Sequence, residues 1–76
     1  MPRFYFDATI DGVTEPDREG MEFHDARTAR REAVRAAAEM AKDFARDSDE
    51  QDIMIQVRDE AGERVGTARL TRGIDA

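Results

Sequence analysis

Residues 25–46, DARTARREAVRAAAEMAKDFAR, decide the fold of this chain. No glycine or proline interrupts them. At about 100° per residue, Ala26, Ala29, Ala33, Ala36, Ala37, Met40 and Phe44 fall within about 100° of arc, the width of an apolar stripe laid on a core. The stretch predicts one long amphipathic helix. Asp25 is its natural N-cap, because a carboxylate there accepts from first-turn amides and suits the positive helix end. The stripe is mostly alanine in its first half, so the backbone can approach a sheet closely. Bulky sheet residues such as Phe4, Phe6 and Ile55 then fill the space, with Met40 and Phe44 filling it at the other end.

On the N-terminal side, residues 3–10 alternate, with Phe4, Phe6, Ala8 and Ile10 on one face and Tyr5, Asp7 and Thr9 on the other. This is the period-two pattern of a half-buried strand. Residues 11–20 read as a loop of about ten residues, rich in turn formers at Asp11-Gly12, Pro16, Asp17 and Gly20. Met21-Glu22-Phe23 reads as a short second strand returning antiparallel to the first. On the C-terminal side, residues 47–52 are polar and acidic and read as the second loop. Alternation resumes over residues 53–59, with Ile53, Ile55 and Val57 inward and Met54, Gln56 and Arg58 outward. Asp59-Glu60-Ala61-Gly62 predicts a tight connection with Gly62 in the left-handed region. A fourth strand follows over residues 64–71. There Val65 is out of phase with Ala68 and Leu70, which predicts a bulge near Gly66. The expected architecture is α+β: β-β-α-β-β, one antiparallel four-stranded sheet with a single long helix packed on one face, in a single domain over residues 1–76.

Composition narrows the function classes. A chain of 76 residues buries only roughly 60% of its unfolded surface, so its margin of stability is thin. Cysteine is absent, which removes disulfide and thiolate chemistry and suits a reducing, cytoplasmic setting. The opening MPRFYFDATI lacks a signal-like apolar run, and no window approaches the ~20 apolar residues of a membrane span, so no membrane partner is expected. The net charge of −6 works against general nucleic-acid binding. Charge is unevenly spread: residues 1–24 carry 2 basic and 6 acidic groups, residues 25–46 carry 6 and 4, and residues 47–76 carry 4 and 8. The helix is the one segment of net positive sign.

Four stretches carry a family likeness. They are Met1-Pro2-Arg3-Phe4-Tyr5-Phe6-Asp7, then residues 17–23 (DREGMEF), then Asp25 with Ala29-Arg30-Arg31-Glu32-Ala33, then Val57-Arg58-Asp59-Glu60-Ala61-Gly62. Together and in this order they resemble a family of short bacterial proteins, the domain of unknown function six-eight-nine-four. The resemblance spans nearly the whole chain. It supports the fold and implies no activity, cofactor or site residue. Gly66, Thr67 and Ala68 depart from the family pattern, standing where branched aliphatics are more usual.

No catalytic, cofactor or metal constellation emerges from the residues. His24, the single histidine, stands beside Asp25, but nucleophilic catalysis needs an activated hydroxyl or thiol in reach. The only serine, Ser48, lies at the far end of a helix some ~30 Å long. Asp47 and Asp49 occupy positions 1 and 3 of a calcium loop, yet Asp52 and Arg58 stand where that loop needs Gly and Glu. The carboxylates of Asp11, Glu15, Asp17 and Glu19 read as a solvated loop, and zinc lacks ligands.

Two surfaces remain for a partner. Arg27, Arg31 and Arg35 are spaced four apart on the face opposite the alanine stripe, where an anion could relieve their repulsion, with Glu32, Glu39 and Asp43 able to share the charge locally. The outward sheet face offers Tyr5 and Met54 as a modest apolar patch among Asp7, Gln56, Arg58 and Arg69, with Asp7 able to pair across strands with arginine. The reading is a small non-enzymatic domain that interacts with an unknown protein partner, or forms a homodimer through a sheet edge or the outward face. The alternative is an anion or nucleic-acid binder using the arginine face of the helix.

Overall fold

The computed structural model describes residues 1–44 and 50–73. The chain forms β1 (Arg3–Ile10), β2 (Val13–Glu15), β3 (Met21–Glu22), α1 (Ala26–Phe44), β4 (Gln51–Arg58) and β5 (Arg64–Arg72). All strands belong to one antiparallel sheet in the order β2-β1-β4-β5, with β3 also paired to β1, and the helix packs on one face. The α+β architecture expected from the sequence is the one observed. The Phe44 side chain, the expected helix end at Arg46 and the run containing Asp47, Ser48 and Asp49 lie outside the described residues, as do residues 74–76.

Helix α1 begins where expected. The Asp25 carboxylate accepts from the Thr28 amide at 2.8 Å and from the Thr28 hydroxyl at 2.8 Å, so it is held below its usual pKa by these bonds. Ala29, Ala33 and Ala37 are buried, and Ala26, Ala36 and Met40 pack at the margin of the core. They meet Phe4, Ile53, Ile55, Val57 and Ala68 from the sheet. Phe23 closes the N-terminal end of the core, its ring 5.7 Å from Phe6 edge-on and 6.4 Å from Phe4. The helix lies over β4 and β5 and scarcely over β1.

The sheet has one strand more than the alternation suggested, because residues 11–20 are not a single loop. Asp11 and Gly12 take φ of 49° and 87°, the paired positive angles of a tight hairpin turn. The chain therefore folds straight back, and Val13, Thr14 and Glu15 pair with Ile10, Thr9 and Ala8. Strand β4 starts two residues before the expected Ile53. Asp11 donates its amide to the Asp52 carbonyl at 2.9 Å and accepts the Asp52 amide on its side chain at 3.0 Å, which extends the β1–β4 ladder.

The final hairpin follows the sequence closely. Gly62 has φ 84°, and the Asp59 carboxylate accepts from the Ala61 and Glu63 amides at 3.0 and 2.8 Å. Val57 pairs with Gly66 and Arg58 with Arg64, leaving Val65 as the bulged residue. Gly66 also has a packing reason. A Cβ there would lie 2.5 Å from Arg30 Cγ, so the glycine lets the Arg30 stem lie across the sheet, where its guanidinium donates to the Val65 carbonyl at 3.2 Å. The departure from branched aliphatics at this position makes room for a helix side chain.

Candidate functional site

The residues proposed from sequence do not converge. Arg27 and Arg31 are exposed and make no ion pair among the described residues. Arg35 is neutralised within the helix, at 2.6 Å from Glu32 and 3.0 Å from Glu39. Its hydrogen bonds hold Glu32 below the usual carboxylate range. Tyr5 and Met54 both lie on the outward sheet face but not together. Tyr5 pairs with Arg58 and Met54 with Thr9, so the Asp7–Gln56 row separates them. Four residue steps put them about 13 Å apart along the strands, and no joint apolar patch forms. Among the described residues, no group of three or more His, Asp or Glu is arranged to hold a metal ion. His24 is exposed at the helix start.

What does converge is a polar node at the margin of β1. Arg58 donates from Nε to Asp7 Oδ2 at 2.5 Å, from Nη2 to Asp7 Oδ1 at 3.2 Å, and from Nη2 to the Asp17 carbonyl at 3.3 Å. Its guanidinium lies 5.1 Å from the centre of the Tyr5 ring. Asp7 also accepts the Asp17 amide at 2.9 Å. Asp17 in turn accepts from the amides of Phe6 at 3.0 Å, Glu19 at 3.1 Å and Gly20 at 3.1 Å. The Asp7 side chain is only 14% exposed. Its carboxyl is held below the ordinary range by the hydrogen bonds from Arg58, against its own desolvation. Desolvation alone would raise Asp17, but the amides of Gly20, Phe6 and Glu19 outweigh it and hold that carboxyl low as well.

The node has a definite structural task. Glu15 pairs with Ala8 and Met21 with Phe4, so four steps along β1 face six along the returning chain. Strands β2 and β3 are therefore one edge strand interrupted by a two-residue excess. Within the interruption, Phe6, which is in register with Val57 of β4 on its other side, has no partner on the edge strand, and the Asp17 carboxylate supplies the acceptor its amide would lack. Gly20 turns the chain back with φ 70°, and a Cβ there would come within 2.8 Å of the Phe4 carbonyl oxygen. The sequence signal for this node was present in Asp17-x-x-Gly20, an aspartate poised to accept from amides two and three residues on.

The opposite margin is different in kind. Strand β5 is nine residues long and forms the other edge. The Asp11 amide donates to the Asp52 carbonyl, so Asp52 faces β1 and by alternation β4 turns the backbone groups of Ile53, Ile55 and Val57 toward β5. Their partners Leu70, Ala68 and Gly66 are thereby satisfied. The N–H and C=O groups of Thr67, Arg69 and Thr71 point away from the sheet, and no described strand pairs with them. A shallow groove of about 550 Å³ at the end of this hairpin is lined by Asp11, Glu50, Gln51, Asp52, Thr71 and neighbouring residues.

No helix of the described residues is long and apolar enough to cross a membrane. Among curated proteins and solved structures, none matches the chain at a significant level. The residues of the polar node, Tyr5, Asp7, Asp17, Gly20 and Arg58, all lie within residues 3–71, the span matched by the family model Domain of unknown function (DUF6894), and the chain belongs to that family.

Proposed function

We propose that this domain is a small, non-enzymatic protein-interaction module that takes up an extended segment of another polypeptide along β5. The observation that carries this reading is the contrast between the sheet edges. One is short, interrupted and clamped by side chains, whereas β5 is long and carries outward main-chain groups from Thr67 to Thr71. Open edges template strand addition, with main-chain hydrogen bonds supplying affinity. The reading as a non-enzymatic domain is supported by chemistry available in the sequence: one histidine, one serine and no cysteine. The anion-binding alternative loses Arg35 to Glu32 and Glu39, which leaves Arg27 and Arg31 of the three-residue row.

Site-specific photo-crosslinking tests the proposal. A benzophenone side chain at position 71, on β5, should capture a partner chain in cells, and the same group at position 14, on β2, should not. Thr67→Pro removes an outward N–H and should abolish capture at position 71. Equal capture at both positions, or capture indifferent to the proline, would refute docking at this edge.

A further inference from the structure

We infer that the chain entering along β5 is a second copy of this domain, related to the first by a two-fold axis through Arg69; this rests on the edge-docking reading above. One argument is the position of the helix. It packs on β4 and β5 together, so its axis stands above the line between them. Two-fold pairing of β5 with itself continues the sheet at a strand spacing of about 4.8 Å and keeps both helices on one face. The two helix axes then stand about 10 Å apart, the separation of packed helices. The flanks that meet are suited to it. Arg30 marks the side of the helix turned to β5, with its stem on Gly66 and its guanidinium on the Val65 carbonyl. Ala37, Ala41 and Val34 stand within about 40° of it around the helix. Ala37 is buried and Ala41 partly so, while Val34 is 62% exposed. From Gly66 to Arg69 is about 10 Å along the strand, or six to seven residues along the helix. The axis therefore passes beside residues 34–41, and the apolar row of one copy meets that of the other.

Strand β5 is also complementary to itself. Its outward main-chain groups are those of Thr67, Arg69 and Thr71, so a second β5 closes hydrogen bonds only in registers that pair these residues with one another. The register centred on Arg69 uses all three: Thr67 opposes Thr71 on both sides of the axis, and Arg69 opposes its mate. On the outward face threonine meets threonine, a favourable cross-strand pair. Each Arg69 is held at 2.8 Å by the Asp52 of its own sheet, so the two guanidinium groups at the axis come already neutralised. On the helix face small meets large, with Ala68 opposite Leu70 and Gly66 opposite Arg72. Seven paired residues make a contact about 23 Å long. With one sheet layer and one helix layer in its depth it buries roughly 1,000 Å² in all, which makes the association weak and driven by concentration.

The test is sedimentation velocity on the intact domain from about 10 µM to about 1 mM, with amide exchange on the same samples. The mass should rise from the 8.6 kDa of one chain toward twice that value. The amides of Thr67, Arg69 and Thr71, open at the dilute end, should gain protection at the concentrated end, and those of Val13–Glu15 should not. Val34→Glu, at an exposed helix position, should weaken association at least about tenfold with an unchanged circular dichroism spectrum, and Thr67→Pro should abolish it. The chain has no cysteine, so Arg69→Cys reports the register. Mates across the axis stand about 5.5 Å apart at Cα, within disulfide reach, and should cross-link under oxidation far faster than Thr14→Cys. A domain that stays monomeric while position 71 captures a chain of different mass in cells would overturn the second copy and leave the edge reading standing. A monomer with no capture at position 71, or a dimer that ignores Thr67→Pro, would overturn both. A dimer that needs Thr67 but ignores Val34→Glu, or that cross-links no faster at position 69 than at position 14, would overturn the two-fold arrangement.

Discussion

The two edges of the sheet solve the same physical problem in opposite ways. Every edge strand carries backbone donors and acceptors that water or another chain must satisfy. On the β1 side the chain uses its own resources: a hairpin strand of three residues, a second of two, and between them a carboxylate that accepts from Phe6. On the β5 side nothing comparable is built among the described residues. The contrast teaches that an edge can be closed without a full-length strand if one partly buried acceptor is placed where the register slips. The cost is a set of partly buried charges, Asp7, Asp17 and Arg58, that must stay paired.

The largest effect on this contrast is expected from Asp17→Ala. It deprives the amides of Phe6, Glu19 and Gly20 of their carboxylate acceptor, while the backbone bonds of residue 17 to Arg58 and Asp7 remain. Loss of these charge-assisted bonds should cost about 2–3 kcal/mol. In a domain of this size that lowers the melting temperature by about 10–20 °C. Amide exchange at Phe6 should accelerate with it. Unfolding within about 0.5 kcal/mol of the parent would show that the node does not close the edge.

Gly20→Ala should come next. It forces a Cβ to within 2.8 Å of the Phe4 carbonyl at a positive φ, for about 1–2 kcal/mol measured by urea unfolding. Acid should also loosen the closed edge. Asp7 and Asp17 both have native pKa values below the ordinary range. Their contribution is present above the unfolded value of about 3.9 and is lost as pH falls through the lower native values. A melting series from about pH 5 down to pH 2 should therefore fall more steeply for the parent than for Asp17→Ala. Parallel curves would mean that Asp17 does not carry this linkage.

The smallest effect on stability should come from the open edge. Thr67→Pro should cost about 1 kcal/mol or less, since the N–H it removes points away from the sheet. Hydrogen exchange sharpens the same point: amides of Gly66, Ala68 and Leu70 should be protected and those of Thr67, Arg69 and Thr71 should not. Uniform protection along β5 would show that its outer side is already covered.

Much of the fold was legible because it depends on local periodicity. The uninterrupted 3.6-residue stripe of the helix and the alternation of β1 and β4 depend on which side chains prefer to leave water, and burial of Ala29, Ala33, Ile53, Ile55 and Val57 follows that pattern. The capping role of Asp25, the left-handed Gly62 and the bulge beside Gly66 were legible too, since turn and cap chemistry acts within a few residues. Val13–Glu15 was missed as a strand because its three exposed residues have no buried face to betray a period.

By itself, then, the sequence determined the element types, the apolar faces and the charge excess of the helix, all consequences of short-range pattern. Only the tertiary structure decided which edge stayed open. That depended on a two-residue slip between β2 and β3, on Asp17 reaching a backbone amide eleven positions away, and on the helix lying over β5. Those are relations between distant parts of the chain, and they exist once packing has brought the parts together.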